Sequence, residues 1–405
     1  MSKRTFNRTL KRSALTVALG VCFNSSIYAQ SNTSGAVFGQ ATAGEKVLVQ
    51  NPATGFSREI AIGADGTYRV SALSPGTYRV TLQRADGTTT TREVAVNVGT
   101  GTAVNFAAES SGSGATTLGT VTVTGSQLVN PIDVSSVEST TILTSEQLAR
   151  IPVPRDTTSV ALLAPGTVRG DGAFGNLASF GGSSVAENQY YINGFNITNS
   201  FRSLNFSKVP FEAIAEQQIK TGGYGAEFGR SLGGVVNQIT KRGTNEFKAG
   251  ANVFWSPKSL RSDVDDYKFS NPLVPGDYGN VAENNSKDSQ EELIGAVWAG
   301  GALVKDTLFA YGLLSYGKTD TDAWGNMDAV TNRNGSIKNP TWLAKFDWNI
   351  NDSNKLELTA FSDKQESETR VYNNTPGEVD RTNYVGTVFD EQGGNNYVLK
   401  YTGYL

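Results

Sequence analysis

The run Gly222-Gly223-Tyr224-Gly225-Ala226-Glu227-Phe228-Gly229 has the glycine density of a loop that cradles phosphate. Such a loop presents backbone N–H groups to the anion and ends in a Lys-Ser or Lys-Thr pair that reaches the phosphates and their metal. Here the spacing is Gly-x-Gly-x-x-x-Gly and no such pair follows, so tight turns that need positive φ account for these glycines. Asp263, Asp265 and Asp266 would suit a hard cation, but the Gly and closing Glu of a calcium loop are missing, which leaves a solvated acidic loop. Arg169-Gly170-Asp171 reads as a chance string in a Gly-rich loop. The sequence holds no histidine, and Cys22 is the single cysteine. A Ser–His–Asp triad, a Cys–His pair and a His-ligated zinc are therefore excluded within this stretch. The sequence points to no catalytic residue, no metal and no cofactor, hence not to an enzyme.

The chemistry that remains is backbone pairing. Leu118-Gly119-Thr120-Val121-Thr122-Val123-Thr124 alternates Thr and Val with period two, the pattern of a strand. Residues 109–117 ahead of it are a flexible linker by composition. A short strand behind a flexible linker can donate its edge to another protein by β-augmentation, and Leu118, Thr120, Val121, Thr122, Val123 and Thr124 are the residues expected to do so.

The elements that must position this strand begin with residues 1–29. Lys3, Arg4, Arg8, Lys11 and Arg12 form a basic head, residues 13–23 an apolar core, and Ile27-Tyr28-Ala29 a cleavage site. The apolar core is far shorter than the roughly 20 residues a spanning helix needs. Val21 ahead of Cys22 is a poor match to a lipoprotein acceptor. Removing the five basic residues of the signal takes the net charge from −3 to −8. An acidic surface argues against a nucleic-acid partner. No second apolar run of spanning length follows, which is compatible with a membrane barrel because only alternate residues of its strands face lipid.

Residues 31–108 alternate short β-prone runs (47–49, 56–62, 67–70, 77–83, 88–98) with turns at 63–66, 74–76 and Asp86-Gly87. Gly-Thr-Tyr-Arg-Val occurs at 66–70 and again at 76–80, which fits successive strands of a small sandwich. This unit resembles the carboxypeptidase-regulatory-like domain, a non-catalytic sandwich that precedes some outer-membrane receptors.

Further on, residues 143–148 open a short helix with Thr144 or Ser145 as N-cap, and residues 156–163 form a second, stopped by Ala164-Pro165-Gly166. Gln189-Tyr190-Tyr191-Ile192-Asn193-Gly194-Phe195 is a strand running into a turn. Residues 215–245 hold two strand-like runs, 218–220 and 235–240, around the glycine turn. These two stretches resemble the plug domain of TonB-dependent outer-membrane receptors. Asn193-Gly194 stands where many receptors have Asp-Gly. Gly181-Gly182-Ser183 stands where many have an Arg-Gly pair, a departure shared with the Oar-like subgroup. The position of 118–124 ahead of a plug resembles that of the TonB box.

From residue 246 the pattern is that of a barrel. Trp342, Ala344, Phe346, Trp348 and Ile350 fall on one face, and Lys345, Asp347 and Asn349 on the other, so one face meets lipid and the other a wet lumen. Further strands are expected at 246–256, 291–304, 308–318, 355–365 and 396–405, with tight turns at 305–306 and 351–354 and long polar loops at 257–289, 320–339 and 366–395. Trp255, Trp298, Trp342 and Trp348 are candidates for the interface girdles, with Trp324 in a loop. About six strands are far from the 22 of a plugged transporter, so the chain is expected to be a fragment that ends inside a strand.

The fold class expected is mainly β: an N-terminal β-sandwich, an α/β plug and the first strands of an antiparallel transmembrane barrel. The divisions expected are a signal at 1–29, the sandwich at 30–110, linker and TonB box at 111–124, plug at 125–245 and barrel wall at 246–405. What the resemblance implies is an Oar-like receptor in the outer membrane of a Gram-negative bacterium, whose partners are the periplasmic domain of TonB, outer-membrane lipid and an unidentified external ligand. For that ligand the loops 170–177 and 199–206 are expected to supply contacts, with Phe174, Asn176, Phe201 and Arg202. The alternatives are an Oar-like surface protein that serves adhesion or protein export, and a glycan-binding surface module.

Overall fold

The computed structural model describes residues 33–106, 138–201, 203–270, 273, 276, 278–325, 331–351, 353–375 and 378–403. The expected signal at 1–29 and the whole of 107–137 lie outside the described residues.

The first unit has seven strands: β1 (Gly35–Gln40), β2 (Lys46–Asn51), β3 (Phe56–Ala61), β4 (Thr67–Leu73), β5 (Gly76–Gln83), β6 (Thr89–Val96) and β7 (Gly101–Ala103). They make two sheets, ordered β4-β1-β7 and β3-β2-β5-β6. The repeated Gly-Thr-Tyr-Arg-Val lands once on each sheet, and strand alternation turns both tyrosines inward: Tyr68 and Tyr78 are buried, as are Val70 and Val80. The core of this unit is its own, built from Val37, Val47, Val49, Leu73, Leu82, Val96 and Phe106 with their neighbours. β1 and β7 carry no recognisable alternation and escape a sequence reading; β7 is three residues paired in parallel with β1.

The second unit begins with β8 (Ser139–Thr144), followed by α1 (Ser145–Arg150) and α2 (Thr157–Ala161). Gln147 Oε1 accepts from Thr144 N at 2.9 Å and Asp156 Oδ1 from Ser159 N at 2.8 Å, so both short helices begin where capping chemistry places them. β9 (Thr167–Arg169) and β10 (Ala178–Phe180) form a small hairpin. β11 (Gln189–Ile192), β12 (Phe195–Asn196), β13 (Ile214–Gly222) and β14 (Val235–Thr240) join β8 in a sheet ordered β12-β11-β14-β13-β8. β11 and β14 pair in parallel, the rest antiparallel. All six residues of β14 are buried, which fits a central strand covered on both faces.

The remaining strands are β15 (Lys248–Ser256), the small pair β16 (Tyr267–Lys268) and β17 (Val281–Glu283), then β18 (Ser289–Val304), β19 (Leu308–Ala323), β20 (Thr331–Asn351), β21 (Asn354–Ser362), β22 (Gln365–Thr375), β23 (Glu378–Gln392) and β24 (Asn395–Gly403). They form an unclosed antiparallel wall, β15-β18-β19-β20-β21-β24, with β22 on the outer half of β20 and β23 beside it. Alternation holds: Phe346 and Trp348 are exposed on the outer face, while Lys345 and Asp347 are buried on the inner one. Phe346, Leu358 and Leu399 stand directly opposite one another across three strands, an exposed apolar row on the outer face.

Two expected loops are corrected. Most of 320–339 and of 366–395 is strand, because β19 runs on to Ala323, β20 starts at Thr331, and β22 and β23 pair with each other. Residues 320–339 are mostly polar, and apolar residues of 366–395 such as Tyr384, Val385, Val388 and Phe389 fall on both parities, so period-two hydropathy is silent there. Trp298 is also corrected. It turns inward, stacks on Tyr311 at 6.3 Å and packs against the plug core, whereas Trp255 and Trp348 are exposed on the outer face.

Candidate functional site

The site is the seam along which the plug meets the wall. Apolar side chains of the plug (Leu148, Val160, Ile192, Ala213, Ile214) share one cluster with Tyr311, Leu313, Leu343 and Phe361 of the wall. Arg155 bridges both bodies. It pairs with Glu212 at 3.0 Å and lies 3.9 Å from the Phe254 ring centroid on β15.

Below this cluster the seam turns polar. Asn193, in the β11–β12 turn at φ 49°, donates from Nδ2 to Thr240 Oγ1 at 2.9 Å and to Thr359 Oγ1 at 3.0 Å, while its Oδ1 accepts from Thr240 N at 3.0 Å. One side chain thus joins a plug turn, a plug strand and the wall. Lys345 Nζ also donates to Thr240 Oγ1, at 3.4 Å.

The chain leaves the plug through Arg242 and Gly243. A Cβ on Gly243 would stand 2.5 Å from Ala310 O and 2.6 Å from Gly301 O, so only glycine lets the link run this close to the wall. Arg242 then meets an unusual wall. Register places Asp347 directly opposite Glu357, with Lys400 next in the same row. Like charges directly opposite are destabilising unless cations intervene. Arg242 Nη2 lies 3.0 Å from Glu357 Oε1 and 3.8 Å from Asp347 Oδ1. Lys355, Lys400 and Lys345 approach Glu357 at 3.2, 3.6 and 4.0 Å. Burial works against the charge on Arg242, but Asp347 and Glu357 outweigh it and leave the guanidinium held firmly cationic. Among the described residues the Asp347 carboxylate has no hydrogen-bond partner and is held by charge, Arg242 on one side and Lys355 at 4.0 Å on the other.

The sandwich reaches the same end of the wall. Asn245 N donates to Ala53 O at 2.7 Å, Lys355 Nζ to Ser74 Oγ at 2.9 Å and Lys400 Nζ to Thr33 Oγ1. A cavity of about 280 Å³ between them is lined by Ser74, Tyr78, Arg242, Asp306, Asp347 and Lys355. The tight turn at Asp306 lies here, so this is the short-turn end of the wall.

The expected ligand residues lie on two separate plug loops. Phe174 is half-exposed on a 3₁₀ turn capped by Asp171, and Asn176 beside it is at φ 54°. Phe201 is 90 % exposed in a loop closed by the Thr198–Phe206 bridge and by Phe206 stacked on Tyr190 at 3.8 Å. Arg202, and Leu118, Thr120, Val121, Thr122, Val123 and Thr124, lie outside the described residues. At the far end of the wall a polar cleft of about 860 Å³ is lined by Arg261, Asp288, Asp322 and Trp324. Arg381 stacks on Trp324 at 4.1 Å and binds Asp322 at 2.6 Å, so Trp324 fastens outer segments together.

An open wall of antiparallel strands thus packs against a mixed five-stranded sheet and is latched to it by charge. Residues 33–109 match the carboxypeptidase regulatory-like domain, and residues 133–235 the TonB-dependent receptor plug domain. The chain is 28% identical over 324 residues to the TonB-dependent transporter Oar of Myxococcus xanthus, covering 75% of this chain and 28% of that protein. Similar solved structures include the outer membrane transporter YddB of Escherichia coli (17% identity, 58% of this chain and 37% of that one, TM-score 0.41). Another is a ferric enterobactin receptor of Pseudomonas aeruginosa (15% identity, 66% and 38%, TM-score 0.42). Two segments of the chain are thus similar to a carboxypeptidase regulatory-like domain and to a TonB-dependent receptor plug domain, and the chain as a whole is similar to Oar. It spans just over a quarter of the length of the curated relative it matches.

Proposed function

We propose that this chain is the sandwich, plug and first wall segment of an energised importer, divided at 29, 110, 124 and 245. Ligand binds from outside on Phe174, Asn176, Phe201 and Arg202. Leu118, Thr120, Val121, Thr122, Val123 and Thr124 then pair with the periplasmic domain of TonB as an added strand. Force relayed through that strand rearranges the plug and opens a path along the wall. The observation that carries this reading is the latch at Arg242. Hydrogen bonds and ion pairs at the lower seam can be exchanged for water at small net cost, so this end of the plug can loosen and return while the apolar cluster above it stays packed.

The test is Val123→Pro. Proline removes a pairing donor and bends the strand, so transport of a labelled ligand should be lost while its binding to whole cells is unchanged. Normal transport by this variant would overturn the assignment of 118–124.

A further inference from the structure

The underside of the plug carries a buried carboxylate that the gating scheme does not use. Glu216, Gln218 and Lys220 alternate along β13 and face the sandwich turn 97–100. Glu216 is 3% exposed. Its Oε1 accepts from Val98 N at 3.2 Å and from Gln218 Nε2 at 3.1 Å, and Gln218 Nε2 also donates to Val98 O. Gly99, at φ 67°, brings bare backbone to this face; a Cβ there would stand 3.5 Å from Lys220 Nζ. The turn is the only part of the sandwich that covers Glu216 among the described contacts.

Among the described residues, no cation pairs with this carboxylate. The turn itself, Asn97-Val98-Gly99-Thr100, is uncharged. Lys220 on the same strand is taken by Glu138 ahead of β8. The register partners of Glu216 are Thr144 on β8 and Ile239 on β14. Lys400 of β24 reaches Thr33, beside the Ser34 whose carbonyl accepts from Gly99 N, but it is held by Glu357. A buried carboxylate with neutral donors and no counter-ion favours its protonated form.

We propose that the 97–100 turn is a reversible latch on the underside of the plug, closed by one proton taken up from solvent by Glu216. The sandwich keeps its own core whether docked or free, because none of that core is shared with the plug. Among the described residues, its hydrogen bonds to plug and wall come from the segments outside its strands, at Thr33, Pro52, Ala53, Ser74 and Val98. Burial pushes Glu216 up to about 7 in the docked state, against the lowering effect of its bonds from Gln218 and Val98. Undocking returns it to water and toward its ordinary value of 4.5. Docking is therefore strongest below pH 4.5, weakens as pH rises through the interval, and is flat above pH 7. A shift of this size bounds the change at about 300-fold.

The inference rests on the sandwich–plug contact and is independent of TonB and of import. The test is hydrogen-exchange protection of the Val98 amide in the full-length receptor in lipid nanodiscs, between pH 4.5 and 8, corrected for intrinsic rate. The Val80 amide in the sandwich core serves as control. Val98 protection should fall by up to about 300-fold as pH rises, with Val80 unchanged, and Glu216→Gln should hold Val98 protected throughout. A flat wild-type profile, or the same pH course in Glu216→Gln, overturns the proposal. Should Glu216→Gln not fold, Gln218→Leu keeps the question decidable. It should lower Val98 protection and keep a pH course of the same sign, its upper end moved to higher pH by loss of the bond that lowers Glu216, and a lost or reversed course overturns the latch.

Discussion

Arg242 Nη2 stands 3.0 Å from Glu357 Oε1, and the pair ties the exit of the plug to a wall that places Glu357 directly opposite Asp347. Four cations surround these two carboxylates, so the two halves of the pair are not equivalent. Glu357→Gln strands Arg242, Lys345, Lys355 and Lys400 with Asp347 alone and should cost about 3–5 kcal/mol. Arg242→Met leaves Glu357 with Lys355 at 3.2 Å and should cost about 1.5–3 kcal/mol, the value of one charged hydrogen bond. Denaturant midpoints of the refolded receptor should fall in that order. Equal midpoints would show that the lysines do not share the load.

Asn193 combines a left-handed backbone with three hydrogen bonds across the seam. Asn193→Gly keeps the backbone and loses the bonds; Asn193→Ala loses both. Alanine should therefore be the worse by about 1 kcal/mol, the left-handed penalty. Measuring both variants by thermal unfolding separates turn strain from contact with Thr359. If alanine equals glycine, strain contributes nothing here.

Asp266 pins an outer segment by accepting from Ser286 N at 2.8 Å and Ser286 Oγ at 2.9 Å. These bonds, the backbone one first, lower its carboxyl below the ordinary 3.8. A depressed value means the pin is fully present above pH 3.8 and is lost as pH falls through the lower, folded value. Asp266→Asn should make the 257–288 segment sensitive to protease at neutral pH. The wild type should become so only in acid. Sensitivity that appears with rising pH would contradict this.

Phe174 and Phe201 project from the plug into solvent, so neither contributes much to the fold. Alanine at either should leave the unfolding midpoint within experimental scatter and weaken ligand binding about tenfold or more if the side chain anchors ligand, as exposed aromatics at binding centres do. Unchanged affinity in both variants would remove these loops from the ligand surface.

The plug was legible because its signals are local. A capping box at Thr144, a turn at Asn193-Gly194 and the run 235–240 each declare themselves within a few residues. The lumenal face of the wall was equally legible, since Lys345 and Asp347 alternate with Phe346 and Trp348. The charge cluster was not. Lys-x-Asp at 345–347 and Lys-x-Glu at 355–357 are visible as spacings, but only strand register sets Asp347 against Glu357, and only tertiary contact brings Arg242 between them. Glu216 was hidden for the same reason: a carboxylate in a strand looks solvated until a distant turn covers it. The polar outer strands escaped because hydropathy reports a strand only where its two faces meet different surroundings.

β20 is 21 residues long. At about 3.4 Å per residue it measures roughly 70 Å, while the apolar band of a bacterial barrel is about 25 Å tall. Its outward apolar face begins near Trp342, and the stretch Thr331–Lys338 that pairs with β22 carries Asn332, Asn334, Ser336 and Lys338 at the same parity. The β22–β23 hairpin therefore extends the wall beyond the height that an apolar band of that size would cover.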